Sequence, residues 1–409
     1  MRHGCTLIIA AWLILCVPCL VSAQKALGTT ANPASSTQAL PALSQSELLA
    51  RIAQLQQASP APPAATATVA SAPTPYTFGG TTFSAMAEGY ADYNPNSPAT
   101  GLNGLQNFDY LANTAQLSFA KVTIDHPAAP VGFHFDIGAG QTFREIHYGN
   151  RDPHWFDHFE QGYVSFKPKA LGGIEVDAGE FVTWAGSEVI ESNSNWDVTH
   201  SLLFAWAIPY DHTGVRMLAP IGSHITAGVA VVNGWNNVYP VNRGKTLGLT
   251  FAYAWKKATW TSNYYGGPEN SGTTQGWRNL YDTEVLVNPS SAFSYYVNYD
   301  YGRNQAYGTT AVQYWTGLAG AARHAIGKRY AVAGRLEWFD DATGFSTGTA
   351  QAVKEATITG EYKANKWLLS RVEFRDDWSN QPFFSTSTGM SRNQPTLLLG
   401  LVAYLGPGN

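Results

Sequence analysis

From Thr81 to the end of the chain, large apolar side chains recur at every second position in one segment after another. Successive side chains of a β-strand point to opposite faces, so a strict period of two marks a strand with one apolar and one polar face. Val131–Gly140, "VGFHFDIGAG", is the clearest case. Val131, Phe133, Phe135 and Ile137 fall on one face, and Gly132, His134, Asp136 and Gly138 on the other. The period returns at Ala115, Leu117, Phe119; at Ile225, Ala227, Val229, Val231; at Leu247, Leu249, Phe251, Tyr253; and at Phe293, Tyr295, Val297, Tyr299. It continues through Leu336 and Trp338, Ile358 and Tyr362, and Val372 and Phe374.

The connections between these segments alternate in length. Short ones fall near 125–130, 168–173, 220–222, 256–258, 288–291, 326–329 and 363–366. Longer polar ones fall near 94–109, 142–158, 183–199, 234–245, 266–279, 302–310, 340–353 and 377–395. Short turns on one side and long loops on the other are the pattern of an up-and-down antiparallel transmembrane barrel. The chain is therefore expected to be all-β, with about sixteen strands and both barrel ends on the short-turn side. Reading "SLLFAWAIP" and "HTGVRMLA" as two strands would give an odd number. The stretch from about His200 to Ala219 is thus one kinked strand, or an inward-folded piece followed by a strand, with Pro209 at the break. Phe133 and Phe135 then face lipid, and His134 and Asp136 face a watery lumen.

Composition agrees with a wall that meets lipid through strands. Charged residues make up 13% of the chain and aromatics another 13%, against ~25% charged in ordinary soluble domains. Residues 1–23 carry Arg2, an apolar run and Val21-Ser22-Ala23, which reads as a secretory signal peptide. Cys5, Cys16 and Cys19 are the three cysteines and all lie in it, which excludes a disulfide framework beyond residue 23. The 29 acidic residues outnumber the 25 basic ones, and no nucleic-acid partner is expected. Residues 24–75 are rich in Ala, Pro, Ser and Thr and read as a periplasmic arm. Within it a short helix is expected over 44–57, where Ser44 and Glu47 make a capping box and Leu48, Ile52 and Leu55 keep helical spacing. Residues 76–409 form the barrel.

Five stretches together resemble the putative beta-barrel porin-2 (OmpL-like) family. They are "GEFVTWAGSEVIES" from Gly179, "SLLFAWAIPYDHTGVRM" from Ser201, "VVNGWNN" from Val231, "RLEWFDDATG" from Arg335 and "RVEFRDD" from Arg371. The resemblance implies a porin of the bacterial outer membrane that passes ions and small polar solutes passively. It implies contact with outer-membrane lipid, no catalysed reaction and no cofactor. The expected assembly is a homotrimer. Two features depart from the family pattern: the chain ends "LVAYLGPGN" instead of on a terminal Phe, and His200 stands where Arg is frequent, which makes the charge there pH-dependent. A hydrolase using Asp211 and His212, or an envelope tether with a closed barrel, stays open as an alternative.

The third long connection, Val182 to Thr199, carries Glu188, Glu191 and Asp197. In general porins, which the layout resembles, this loop folds into the lumen. Arg335, Glu337, Arg371, Glu373 and Arg375 fall on polar faces of late strands and should point inward. One reading is a constriction in which Glu188 and Glu191 oppose Arg335, Arg371 and Arg375 across a transverse field. The other pairs Arg335 with Glu337, and Arg371 and Arg375 with Glu373, along neighbouring strands. Asp211, His212 and Arg216 near Pro209 read as a buried polar plug at the kink.

Three further features have bland readings. "GFSTG", Gly344–Gly348, matches a nucleophile-elbow pattern but lies between two strands, where that chemistry needs a strand-to-helix turn. His147, His154 and His158, with Asp152 and Asp157, offer metal-ligand residue types in an outer loop, but solvated loop histidines are the commoner case, and no metal is expected. Trp155, Trp184, Trp196, Trp235, Trp255, Trp277 and Trp338 read as interfacial anchors, with Trp184 and Trp196 also able to stack on sugars.

Overall fold

The computed structural model of the protein describes residues 76–147 and 156–406. The expected signal peptide, periplasmic arm and arm helix lie outside the described residues, as do Asp152, His154 and Trp155. Sixteen antiparallel strands close into one barrel. They are β1 (Thr81–Tyr93), β2 (Ala115–His126), β3 (Val131–Gly140), β4 (Phe159–Phe166), β5 (Glu175–Val182), β6 (Asp211–Ile221), β7 (Ile225–Val232) and β8 (Thr246–Ala254). The second half comprises β9 (Ala258–Pro268), β10 (Trp277–Val287), β11 (Phe293–Gln305), β12 (Val312–Ile326), β13 (Tyr330–Asp341), β14 (Gln351–Asn365), β15 (Leu368–Ser379) and β16 (Asn393–Leu405). Each strand pairs with the next, and β16 closes on β1 from Leu397↔Tyr93 to Leu405↔Ala85. Closure leaves no unpaired strand edge for lipid to cover, which is what a β-structure needs in hydrocarbon.

The polarity of the two faces is the reverse of a soluble core. Leu336 is 68% exposed on the outside, while Arg375 and Glu373 are fully buried inside. The alternation that marks the strands therefore sets the faces as the sequence suggests, with one local exception. A register shift beside Gly89 turns Phe119 inward, where it packs with Met86 and Phe143. Phe119 is thus not on the lipid face with Leu117.

The stretch before β6 takes the second of its two expected forms. A first short helix, α1 (Gln141–Ile146), follows β3. Ser201 caps a second, α2 (Leu202–Trp206), its Oγ accepting from Phe204 N at 2.9 Å, and β6 starts at Asp211 beyond Pro209. All of α2 is buried inside the barrel. Its apolar side chains pack with Leu105, Trp235, Trp315, Phe339 and Phe345 into a dry core within the lumen. Trp235 is therefore a lumen residue, not an interfacial anchor. It is held edge-on to Trp315 at 6.0 Å between ring centres. Trp255, Trp277 and Trp338 do stand exposed on the outside. The first outer connection, 94–114, also dips inward and buries Leu105 and Phe108.

Candidate functional site

The inward segment 183–210 and the wall that holds it form the candidate site. Arg335 on β13 donates from Nη1 to Glu188 Oε1 at 2.7 Å and to the Thr199 carbonyl at 2.8 Å. Its Nε lies 3.0 Å from Glu337 Oε1 and 3.1 Å from Glu355 Oε2. Glu337 in turn accepts the first free amides of α2, from Leu202 at 3.1 Å and Leu203 at 3.2 Å. These are donors that a helix start leaves without partners. On β15, Arg371 pairs with Glu361 at 2.9 Å and donates to the carbonyls of Ser192 and Asn195, the latter at 2.6 Å. Arg375 pairs with Asp377 at 2.8 Å and reaches the His200 carbonyl at 2.6 Å. Between the two arginines, Glu373 accepts the amides of Val198 and Thr199 and the Thr199 hydroxyl.

Glu188 and Arg335 thus meet as the constriction reading has it, whereas Glu191 does not face the arginines. It pairs with Lys121 on β2. The same ammonium lies 3.1 Å from Glu160 and 3.3 Å from Asp136, and the three carboxylates stand within 4.8 Å of one another. His134 bridges Asp136 at 3.1 Å and Asp125 at 3.0 Å. Arg335, Arg371 and Arg375 are at most 3% exposed, while the side chains of Asp125 and Glu191 remain 48% and 24% exposed. Neighbouring-strand pairing also occurs, through Glu355 and Glu361 on β14 in place of Glu373.

Sequence reasoning missed Lys121, Asp136 and Glu160 as a group. Each shows only as a polar position in an alternating strand, and their meeting depends on the path of the inward segment. His200 sits in that segment against Phe204 and Phe108, with Nε2 at 2.8 Å from the Val189 carbonyl. Burial pushes its pKa below the ordinary histidine value. The same burial raises Asp197, against the pull of Arg335.

His212 and Arg216 face inward from β6. The His212 ring stacks on Tyr265 at 4.5 Å and its Nδ1 lies 2.9 Å from the Gly234 carbonyl. Arg216 pairs with Asp177 at 2.8 Å and lies over the Phe181 ring at 4.4 Å. Asp211 is buried at the start of β6. The His212 Nδ1 is committed to the Gly234 carbonyl and not to Asp211. Ser346 of "GFSTG" is buried in the connection 342–350, where Asp341 accepts the amides of Phe345 at 2.8 Å and Thr347 at 2.6 Å. The stretch is a side-chain-capped turn between two strands. Trp196 leans on Tyr296 at 5.1 Å, and Trp184 packs half-buried against the lumen core.

The family model described as putative beta-barrel porin-2, OmpL-like, matches residues 80–405. Among solved structures, OmpT of Vibrio cholerae is similar with a TM-score of 0.53 at 8% identity, over 79% of this chain and 97% of that one. The outer membrane channel DcaP of Acinetobacter baumannii matches with a TM-score of 0.53 at 10% identity, over 80% and 97%. An anion-selective porin from Comamonas acidovorans matches with a TM-score of 0.52 at 8% identity, over 80% and 99%. At such identities the likeness is one of fold. No curated protein matches the chain.

Proposed function

The chain belongs to the putative beta-barrel porin-2, OmpL-like family, and from that footing we propose that it is a narrow, passive pore whose width and charge are set by different residues. It is a porin of the bacterial outer membrane. Ions and small polar solutes cross the lumen beside the inward segment, and the working unit is a homotrimer.

Width is the task of the buried set, Arg335, Arg371 and Arg375 with Glu188, Glu337 and Glu373. Each guanidinium is spent on carbonyls or carboxylates of the segment or the adjoining wall, so little of its field reaches a passing ion. His212 and Arg216 wedge the exit of the segment in the same way. Charge is the task of the cluster that reaches water through Asp125 and Glu191. With the buried Asp136 and Glu160, its four carboxylates outnumber Lys121 and His134, which favours cations.

The observation that carries the reading is that contrast in exposure between Arg335, Arg371 and Arg375 on one side and Asp125 and Glu191 on the other. Purified protein in a planar bilayer under a salt gradient tests it. Stepwise conductance with a reversal potential on the cation side is expected. A silent bilayer, with barrel folding verified by heat-modifiable gel mobility, would overturn the pore, and an anion-side potential would overturn the charge assignment alone.

A further inference from the structure

The outer wall holds a cavity of 450 Å³ lined by Tyr295, Gly320, Ala322, Gly334 and Leu336, with the backbone of Arg335 in its floor. These residues and the rest of the lining, Tyr296, Ala321 and Thr357, belong to β11–β14, and none to the inward segment. The floor is bare because glycines replace the apolar residues expected there. A Cβ built on Gly320 would meet nothing closer than the Tyr296 carbonyl at 3.7 Å, and one on Gly334 nothing closer than the Thr357 carbonyl at 3.5 Å. Neither glycine has a positive φ. The fold itself therefore does not require glycine at either place, although glycine weakens a strand. The vacant space is what these residues supply.

The slot lies within lipid reach of the short-turn end of the barrel. Gly334 lies ~16 Å along β13 from Arg329, which a strand tilt of about 45° reduces to ~12 Å along the membrane normal. At that end the hairpin of β12 and β13 presents Lys328 and Arg329, both exposed, and the next turn adds Lys366 over the Trp367 ring at 4.4 Å. Tyr330 and Tyr362 stack at 5.1 Å between slot and turns, at the level where aromatic residues mark the interface.

We propose that this slot is a binding site for an anionic glycerophospholipid of the periplasmic leaflet, one acyl chain lying over Gly320 and Gly334 and the phosphate held by Lys328 and Arg329. An acyl chain fits a narrow apolar groove that a side chain could have filled and does not. The basic turn supplies the opposite charge at the depth of the headgroup. A second copy of the chain would meet the same groove without accounting for the cations below it.

The test is native mass spectrometry of the full chain released from nanodiscs of mixed phosphatidylglycerol and phosphatidylcholine. One phosphatidylglycerol per chain is expected to survive detergent activation that strips the remaining lipid. Gly334→Leu should abolish that retained lipid while the barrel keeps its heat-modifiable mobility. Lys328→Gln with Arg329→Gln, on an exposed turn that cannot endanger folding, should lower the preference for phosphatidylglycerol about fivefold per residue. No retained lipid in the natural chain, equal retention of both lipids, or a preference unchanged in the turn variant would each overturn the proposal. So would loss of a dimer or trimer on Gly334→Leu without loss of lipid, which would make the slot a contact between copies.

Discussion

The wall at β13 to β15 and the wall at β2 to β4 face the same inward segment with charged side chains, yet they do opposite things with them. Arg335, Arg371 and Arg375 are dry, each matched by carboxylates or carbonyls. Lys121 is one ammonium among three carboxylates, and its neighbours Asp125 and Glu191 touch water. Counting inward charges would make the late strands the selective part of the pore. Burial reverses that. On the proposed division, a charge removed from water and fully paired serves as a structural tie, while one left at the water boundary is the one to act on ions.

The sharpest way to break this contrast is to remove the central tie. Arg335→Met leaves Glu188, Glu337 and Glu355 buried without their cation, and breaking such a pair from one side costs about 3–5 kcal/mol. Residues 183–210 should then lose hydrogen-exchange protection and the single-channel conductance should rise. Unchanged protection and conductance would mean that the arginines do not hold the segment. The converse change is Asp125→Asn, which removes a half-exposed carboxylate beside His134 and leaves Lys121 with its buried partners Asp136 and Glu160. It should lower the cation-to-anion permeability ratio about fivefold, the equivalent of ~1 kcal/mol for a pair near water, with protection of the segment largely kept. A reversal potential that stays put would separate the cluster from selectivity.

Much of this contrast was beyond the sequence, and the reason is geometric. Period-two patterning is local, so the faces of "VGFHFDIGAG" and the parity that yields sixteen strands could be read directly. The descent of Val182–Thr199 into the lumen followed from loop order and resemblance. What Glu191 meets could not be read, because Lys121 is far away in sequence and becomes a neighbour only after β16 closes on β1 and the segment crosses the barrel. Trp235 shows the same limit. Its place near a strand end suits an interfacial anchor, and only the inward helix α2 supplies an apolar partner that draws it inside.

Acid should tighten the segment more than it loosens it. Asp109 and Glu145, in outer connections that dip inward, and Asp197 all have pKa values raised by burial. Groups raised above their unfolded values stabilise the fold at low pH and cost stability as pH rises toward the folded value. His200 is lowered and acts in the opposite sense, losing stability as pH falls below its ordinary value. Three groups oppose one, so hydrogen exchange of residues 94–114 and 183–210 should slow on moving from about pH 7 to about pH 5. Faster exchange in acid would assign control to His200, and His200→Gln would then remove the effect.

The smallest expected effect gives the cleanest comparison, because two arginines share one carboxylate. Glu361 accepts Arg371 at 2.9 Å through one oxygen and Arg323 at 2.6 Å through the other. The Arg371 side chain is 3% exposed and that of Arg323 is 28% exposed. The partner, chemistry and strand environment are nearly held constant, so exposure is the variable. Arg323→Gln should change stability by no more than about 0.5 kcal/mol, as surface ion pairs do, yet shift the reversal potential toward cations by removing a wet positive charge. Arg371→Gln should do the reverse, freeing the carbonyls of Ser192 and Asn195 and loosening the segment with little direct effect on selectivity. If both variants shifted the reversal potential alike, exposure would not be what divides these charges into ties and selectors, and the pore field would have to be assigned to every inward charge regardless of depth.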